Sequence, residues 1–98
     1  MLFSVRVRNH QNSFMLNICD SHLLGEKIVD DKITMNISKS YYCERLVEKE
    51  EAENLLKKSS SINMVGKETV SLSISLGIGT YQGVKKINGI PFLIIFKM

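Results

Sequence analysis

Ninety-eight residues, 44% of them apolar and 23% charged, suit one globular domain spanning 1–98; they leave too little chain for two independent cores and argue against wholesale disorder. Thirteen Lys and Arg against ten Asp and Glu give a net charge of +3, which suits a nucleic-acid partner without demanding one. The longest apolar run, Ile90 to Phe96, falls far short of the ~20 residues of a membrane-spanning helix, so no membrane partner is expected.

From the start of the chain, Phe3, Val5 and Val7 alternate with Ser4, Arg6 and Arg8, the period of a half-buried strand rather than of a secretory signal. Cytoplasmic residence is therefore expected, and with it two reduced thiols, Cys19 and Cys43. The polar cluster Asn9 to Asn12 predicts a turn, and Phe14, Leu16 and Ile18 predict the second strand of a hairpin. Asp20 to Gly25 reads as a single helical turn, with Asp20 as its cap and Gly25 closing it. Ile33, Met35 and Ile37 alternate with polar residues after Asp30-Asp31 and predict a further strand.

Glu48 to Lys58 carries the clearest helix signature: acids at its start and lysines at its end oppose the macrodipole, and Ala52, Leu55 and Leu56 share a stripe. Ser59 to Ser61 should break it. The next segment reads two ways. Val70, Leu72, Ile74 and Leu76 alternate with serines as a strand would, whereas Ile62, Val65, Thr69, Leu72 and Leu76 fit a helix that Asn63 would cap and Gly77 would close. Spacing alone favours the strand. The last segment is a hairpin, Val84 to Ile87 and Ile90 to Lys97, around Asn88-Gly89, with Pro91 expected at an unpaired position or a sheet edge.

Motifs for catalysis are thin. Gly77-Ile78-Gly79 opens like a dinucleotide fingerprint, but the sixth position is Gln82 and Gly83 comes one residue late. Cys19, Asp20 and His22 have the side chains of nucleophilic chemistry, yet neighbouring strand residues point to opposite faces. His10, Cys19, His22 and Cys43 have the composition of a tetrahedral zinc site at spacings that match no common zinc motif. No enzyme activity, cofactor, metal or small-molecule substrate is expected.

Charge says more when divided along the chain. Residues 20–53 hold nine acids and five bases, a net of −4, and the rest holds eight bases and one acid, a net of +7. Arg6 and Arg8 share a strand face, Lys57 and Lys58 end a helix, and Lys85 and Lys86 precede the last turn, with Lys97 beyond it. If the terminal strands lie side by side, these residues form one basic face opposite an acidic helix. A helix starting at Asn63 would add free N–H groups, the small Gly66 and the Lys67 ammonium, a combination that suits an RNA phosphate. The simpler alternatives are solvated lysines on strand edges and a helix cap without a ligand.

Asn17-Ile18-Cys19-Asp20-Ser21-His22-Leu23-Leu24-Gly25, Asn63-Met64-Val65-Gly66-Lys67-Glu68 and Lys86-Ile87-Asn88-Gly89-Ile90-Pro91 together resemble the archaeal family catalogued as domain of unknown function 424. Its pattern is a C-D-x-x-L-L-G turn, an N-[LIM]-[VI]-G-[EK] helix start and a terminal G-[IV]-P segment, and the resemblance covers nearly the whole chain. It implies a helix over 63–76 and a small protein linked to translation without assigned catalysis. Many members carry a His after the proline where this chain has Phe92, so no chemistry depending on that His is carried over. The expected protein is a single α+β domain, a mainly antiparallel sheet of two hairpins and a further strand covered by two helices. Its expected function is that of an archaeal ribosomal or ribosome-associated protein, contacting ribosomal RNA and ribosomal proteins through the basic surface. A protein-binding or regulatory module linked to translation is the alternative, and a small enzyme or zinc protein the third.

Overall fold

In the computed structural model, which describes residues 1–97, the expected α+β domain is present. The strands β1 (Phe3–His10), β2 (Ser13–Asp20), β3 (Lys27–Asp30), β4 (Ile33–Asn36), β5 (Arg45–Val47), β6 (Ser61–Val65), β7 (Lys85–Ile87) and β8 (Ile90–Phe96) accompany three helices. These are the single turn α1 (Lys39–Tyr42) and the longer α2 (Lys49–Lys58) and α3 (Lys67–Ser75). Six strands form one sheet in the order β5-β1-β2-β6-β8-β7, and β3 and β4 pair as a separate hairpin. Only the β2–β6 pair within the larger sheet is parallel.

Both expected hairpins form around left-handed turn residues. Gln11 and Asn12 have φ of 51° and 66°, and Asn88 and Gly89 have 50° and 79°, the positive values of the tight turns that match strand twist. Pro91 lies inside the strand pair β7–β8, opposite Lys86, and not at an edge. Its carbonyl accepts the Gly66 N–H at 2.9 Å. Its nitrogen therefore faces the end of β6, where the chain has already turned into α3 and no ladder partner is missing.

One face of the sheet packs Val5, Leu16, Ile18, Ile62, Met64 and Leu93 against Ala52, Leu55 and Leu56 of α2 and Val70 and Leu72 of α3. The other face buries a smaller cluster, in which Cys19, Val65 and Phe92 lie under Leu23, Ile28, Ile37 and Tyr42. This second cluster covers only one end of its face.

The helix expected over 63–76 begins later than the sequence suggests. Residues 61–65 form β6, and α3 starts at Lys67. Ser61 to Met64 alternate, but Met64 and Val65 are both fully buried, one toward each core cluster, so the alternation is short and ends in two consecutive apolar residues. Conversely, Thr69 and Ser73 are fully buried in α3; Thr69 belongs to the helical face read from the sequence, whereas Ser73 falls among the serines of the strand-like alternation and conceals that face. Strand β3, the short β5 and the turn α1 are additions to the expected elements.

α2 ends where Lys97 reaches it: the Lys97 ammonium donates to the carbonyls of Leu56 at 2.7 Å and Lys57 at 2.9 Å. These are among the carbonyls that the end of a helix leaves without intrahelical partners. Leu56 itself has 0% exposure in the middle of the larger core. Leu56→Ala is expected to cost about 2–5 kcal/mol through lost burial and the residual cavity; urea unfolding followed by circular dichroism measures it.

Candidate nucleic-acid interface

The phosphate-like anion expected at the start of a helix is supplied by the protein itself. Asp20, 1% exposed, ends β2 and turns its carboxylate onto the first turn of α3. It accepts the N–H of Glu68 at 3.0 Å, the N–H of Thr69 at 2.8 Å and the Thr69 hydroxyl at 2.7 Å. These N–H groups have no intrahelical partner, and the helix dipole favours the negative charge placed against them. Gly66, with φ of 112°, lets the carboxylate approach: a Cβ there would stand 2.4 Å from the Asp20 Cγ. The expected phosphate site at Asn63, Gly66 and Lys67 is corrected accordingly. Asn63 is a mid-strand residue, and the cradle above Gly66 is filled. Asp20 likewise makes no side-chain cap to the turn Ser21–Leu23 that follows it.

The three segments that carry the family resemblance therefore meet at one end of the sheet. Asp20 and His22, Lys67 and Glu68, and Gly89 to Pro91 line a shallow cleft of about 220 Å³. Cys19 faces away from it into the second core cluster. Burial first, then the neighbouring Asp20 charge, pushes the Cys19 thiol from 9.0 up to about 12, so at neutral pH it is a protonated core residue and not a nucleophile. His10 lies at the opposite end of the β1–β2 hairpin, beside Ser13. Six residues of strand, roughly 20 Å, separate that position from Cys19, so the four metal-ligand candidates do not converge.

The basic residues do not form one continuous face. The terminal strands β1 and β8 are separated by β2 and β6, and β7 lies four strand spacings from β1, roughly 19 Å. Lys85 and Lys86 stand at that far edge, at the same end of the sheet as Lys67. Arg6 donates to the Ser40 carbonyl and Asn17 to the Tyr41 carbonyl at 3.1 Å, while Asn63 lies beside the Tyr42 hydroxyl. These three pin α1 onto the sheet. Lys97 closes α2.

Arg8, Lys57 and Lys58 remain, exposed at the other end of the strands. Arg8 pairs with Met15, Met15 with Ser61, and Ser61 with Phe96. The Lys58 ammonium lies 5.1 Å from the centre of the Phe14 ring, next to Met15 in the chain. α2 runs from Glu50 and Glu51 in its first turn to Lys57 and Lys58 in its last, so the charge of this helix is polarised along its own length.

Beside this basic end, half of the second sheet face is open. Met15, Ile94 and Phe96 are 46%, 59% and 73% exposed, and Tyr41 is exposed at the edge of α1. Sequence reasoning missed these residues. Ile94 and Phe96 belong to an apolar run that reads as core, and only the register shows that they share a face with Arg6 and Arg8.

Asp20→Ala and Gly66→Ala are each expected to lower stability by at least about 2 kcal/mol, the first by orphaning buried helix N–H groups and the second by strain and collision. Urea midpoints within experimental error of the parent protein would contradict the clamp. Stability should also fall at high pH. Burial raises Tyr42 from 10.0 to about 12 as it raises Cys19 from 9.0, so the unfolded chain releases protons that the folded one retains. The stabilisation is complete below about pH 9 and is lost as pH climbs toward 12. Lys97, lowered from its ordinary value by partial burial, acts in the opposite sense. Urea unfolding between pH 7 and 11 checks this, with a smaller decline expected for Cys19→Ala.

No curated protein matches the chain. A crystal structure of an uncharacterised conserved protein from Methanopyrus kandleri has the same fold, with a TM-score of 0.80 at 18% identity, covering 100% of this chain and 95% of that one. The family model described as protein of unknown function (DUF424) matches residues 7–98, and the chain belongs to that family.

Proposed function

We propose that the protein binds RNA without catalysing a reaction on it, using the basic end of the sheet to contact phosphates. The observation that carries this reading is the placement of Arg8, Lys57 and Lys58 around one end, away from the glutamates that open α2. Each is exposed, and Lys57 and Lys58 are further favoured there by the negative end of the helix dipole. Phosphate contacts position a protein on RNA and need only such a local cluster. Arg6, Asn63, Gly66 and Lys97 are occupied in holding the fold together and are left out of the contact set, and Lys67, Lys85 and Lys86 form a separate, secondary group.

Ribosomal RNA, with ribosomal proteins beside it, is the partner that the family resemblance suggests, and the cytoplasm is the compartment in which it would be met. A net charge of +3 on so small a domain is compatible with that role. No helix among the described residues is long and apolar enough to cross a membrane.

Sucrose-gradient sedimentation of native lysate tests the reading. The protein should travel with a ribosomal subunit at moderate salt, and the triple variant Arg8→Gln, Lys57→Gln, Lys58→Gln should move to the soluble fraction. With purified RNA, that variant should lower the slope of log affinity against log salt by about 2, from three lost phosphate contacts. Wild-type protein that stays in the soluble fraction and shows no salt-dependent RNA binding would overturn it.

A further inference from the structure

Resting on that RNA-binding reading, we infer that the open half of the sheet face takes an unpaired RNA segment, its bases laid on Phe96, Ile94 and Met15. Two cross-strand rows build the surface: Arg8, Met15, Ser61 and Phe96, then Arg6, Asn17, Asn63 and Ile94. The covering turn α1 stops at the second row, where Arg6 and Asn17 hold its carbonyls. Along the first row Met15 and Phe96 face solvent on either side of Ser61, Ile94 faces solvent next to Phe96 at the β8 end of the second row, and Tyr41 of α1 is exposed.

Charge selects the occupant. Among the described residues, the strand positions of this face in β1, β2, β6 and β8 include Arg6, Arg8 and His10 and no Asp or Glu. Arg6 is engaged with α1, which leaves the Arg8 guanidinium free, and a surface that combines apolar and aromatic side chains with that guanidinium and no carboxylate suits a ligand with flat bases on an anionic backbone. The four strands span three spacings, roughly 14 Å, which is room for two or three bases. Such sheet surfaces stack splayed bases on exposed aromatic residues.

A duplex would use the face poorly. Its bases are already stacked on one another, so docking would set phosphates and ribose hydroxyls against Ile94 and Phe96 and leave their apolar surface uncovered. Arg8, at the β1 end of the row that Phe96 closes, then takes a phosphate beside the laid bases, and Lys58, over Phe14 on the α2 side of the sheet, takes phosphates where the strand passes the sheet's end.

Fluorescence anisotropy with short labelled oligouridine and oligoadenosine, and with a blunt RNA duplex of equal length, tests the inference on the full chain. The single strands should bind at least about tenfold more tightly than the duplex. Phe96→Ala should weaken single-strand binding about tenfold and leave the salt slope unchanged, while Phe96→Trp should restore it. Phe96 lies on the surface, and an unchanged urea midpoint will confirm that the variants fold. Equal affinity for duplex and single strand, with Phe96→Ala silent and the Arg8, Lys57, Lys58 variant impaired, overturns the stacking site and leaves the RNA reading standing. Absence of any salt-dependent RNA binding overturns both. A nuclease-resistant protein complex that Phe96→Ala disrupts would overturn the inference by assigning this face to a protein partner.

Discussion

The Asp20 carboxylate lies against the backbone of Gly66 with no space for a Cβ between them, and it satisfies N–H groups that the start of α3 cannot satisfy internally. This contact joins residues about half the chain apart. It fixes where β6 ends, the direction in which α3 leaves the sheet and the meeting of the Asp20, Gly66 and Pro91 segments, because the Gly66 N–H is held in turn by the Pro91 carbonyl. A motif that resembles an anion-binding helix start is thus an internal cap, and its charge has already been met.

With that end of the sheet closed, the rest of the architecture follows from how each face is covered. α2 and α3 bury most of one face. The other is covered by α1, the turn Ser21–Leu23 and the β3–β4 hairpin, whose apolar residues reach as far as Val65 and Phe92. Arg6, Asn17 and Asn63 form the boundary, and their polar groups serve the carbonyls and hydroxyl of α1. Past them the same face opens to solvent at Met15 and Phe96, and at Ile94 where their row ends on β8, next to the end where α2 finishes with two lysines. The closed end and the open, basic end lie at opposite ends of the same strands.

Much of the fold is legible in the sequence because its signals are local. The alternation in Phe3 to Arg8, the Asn88-Gly89 turn and the graded charge of α2 each act within a few residues. What is not legible depends on contacts between distant elements. β6 alternates only over Ser61 to Met64, because Val65 is buried on the face opposite Met64, and α3 resembles a strand because the buried Ser73 falls among the polar residues of an apparent alternation. The charge calculation along the chain identifies an uneven molecule, but the strand order places β2 and β6 between the terminal strands and divides the basic residues between the two ends of the sheet. The open apolar face has no local signature, since Ile94 and Phe96 sit in the same run as the buried Phe92 and Leu93.

The account assigns one end of the molecule to stability and the other to RNA. Amide chemical-shift mapping of isotope-labelled protein during titration with single-stranded RNA separates them residue by residue. The largest changes are predicted at Arg8, Met15, Lys58, Ser61 and Phe96, with the amides around Asp20, Gly66 and Lys67 nearly unmoved. Changes centred on Lys67, Lys85 and Lys86, with the Phe96 row silent, would contradict it.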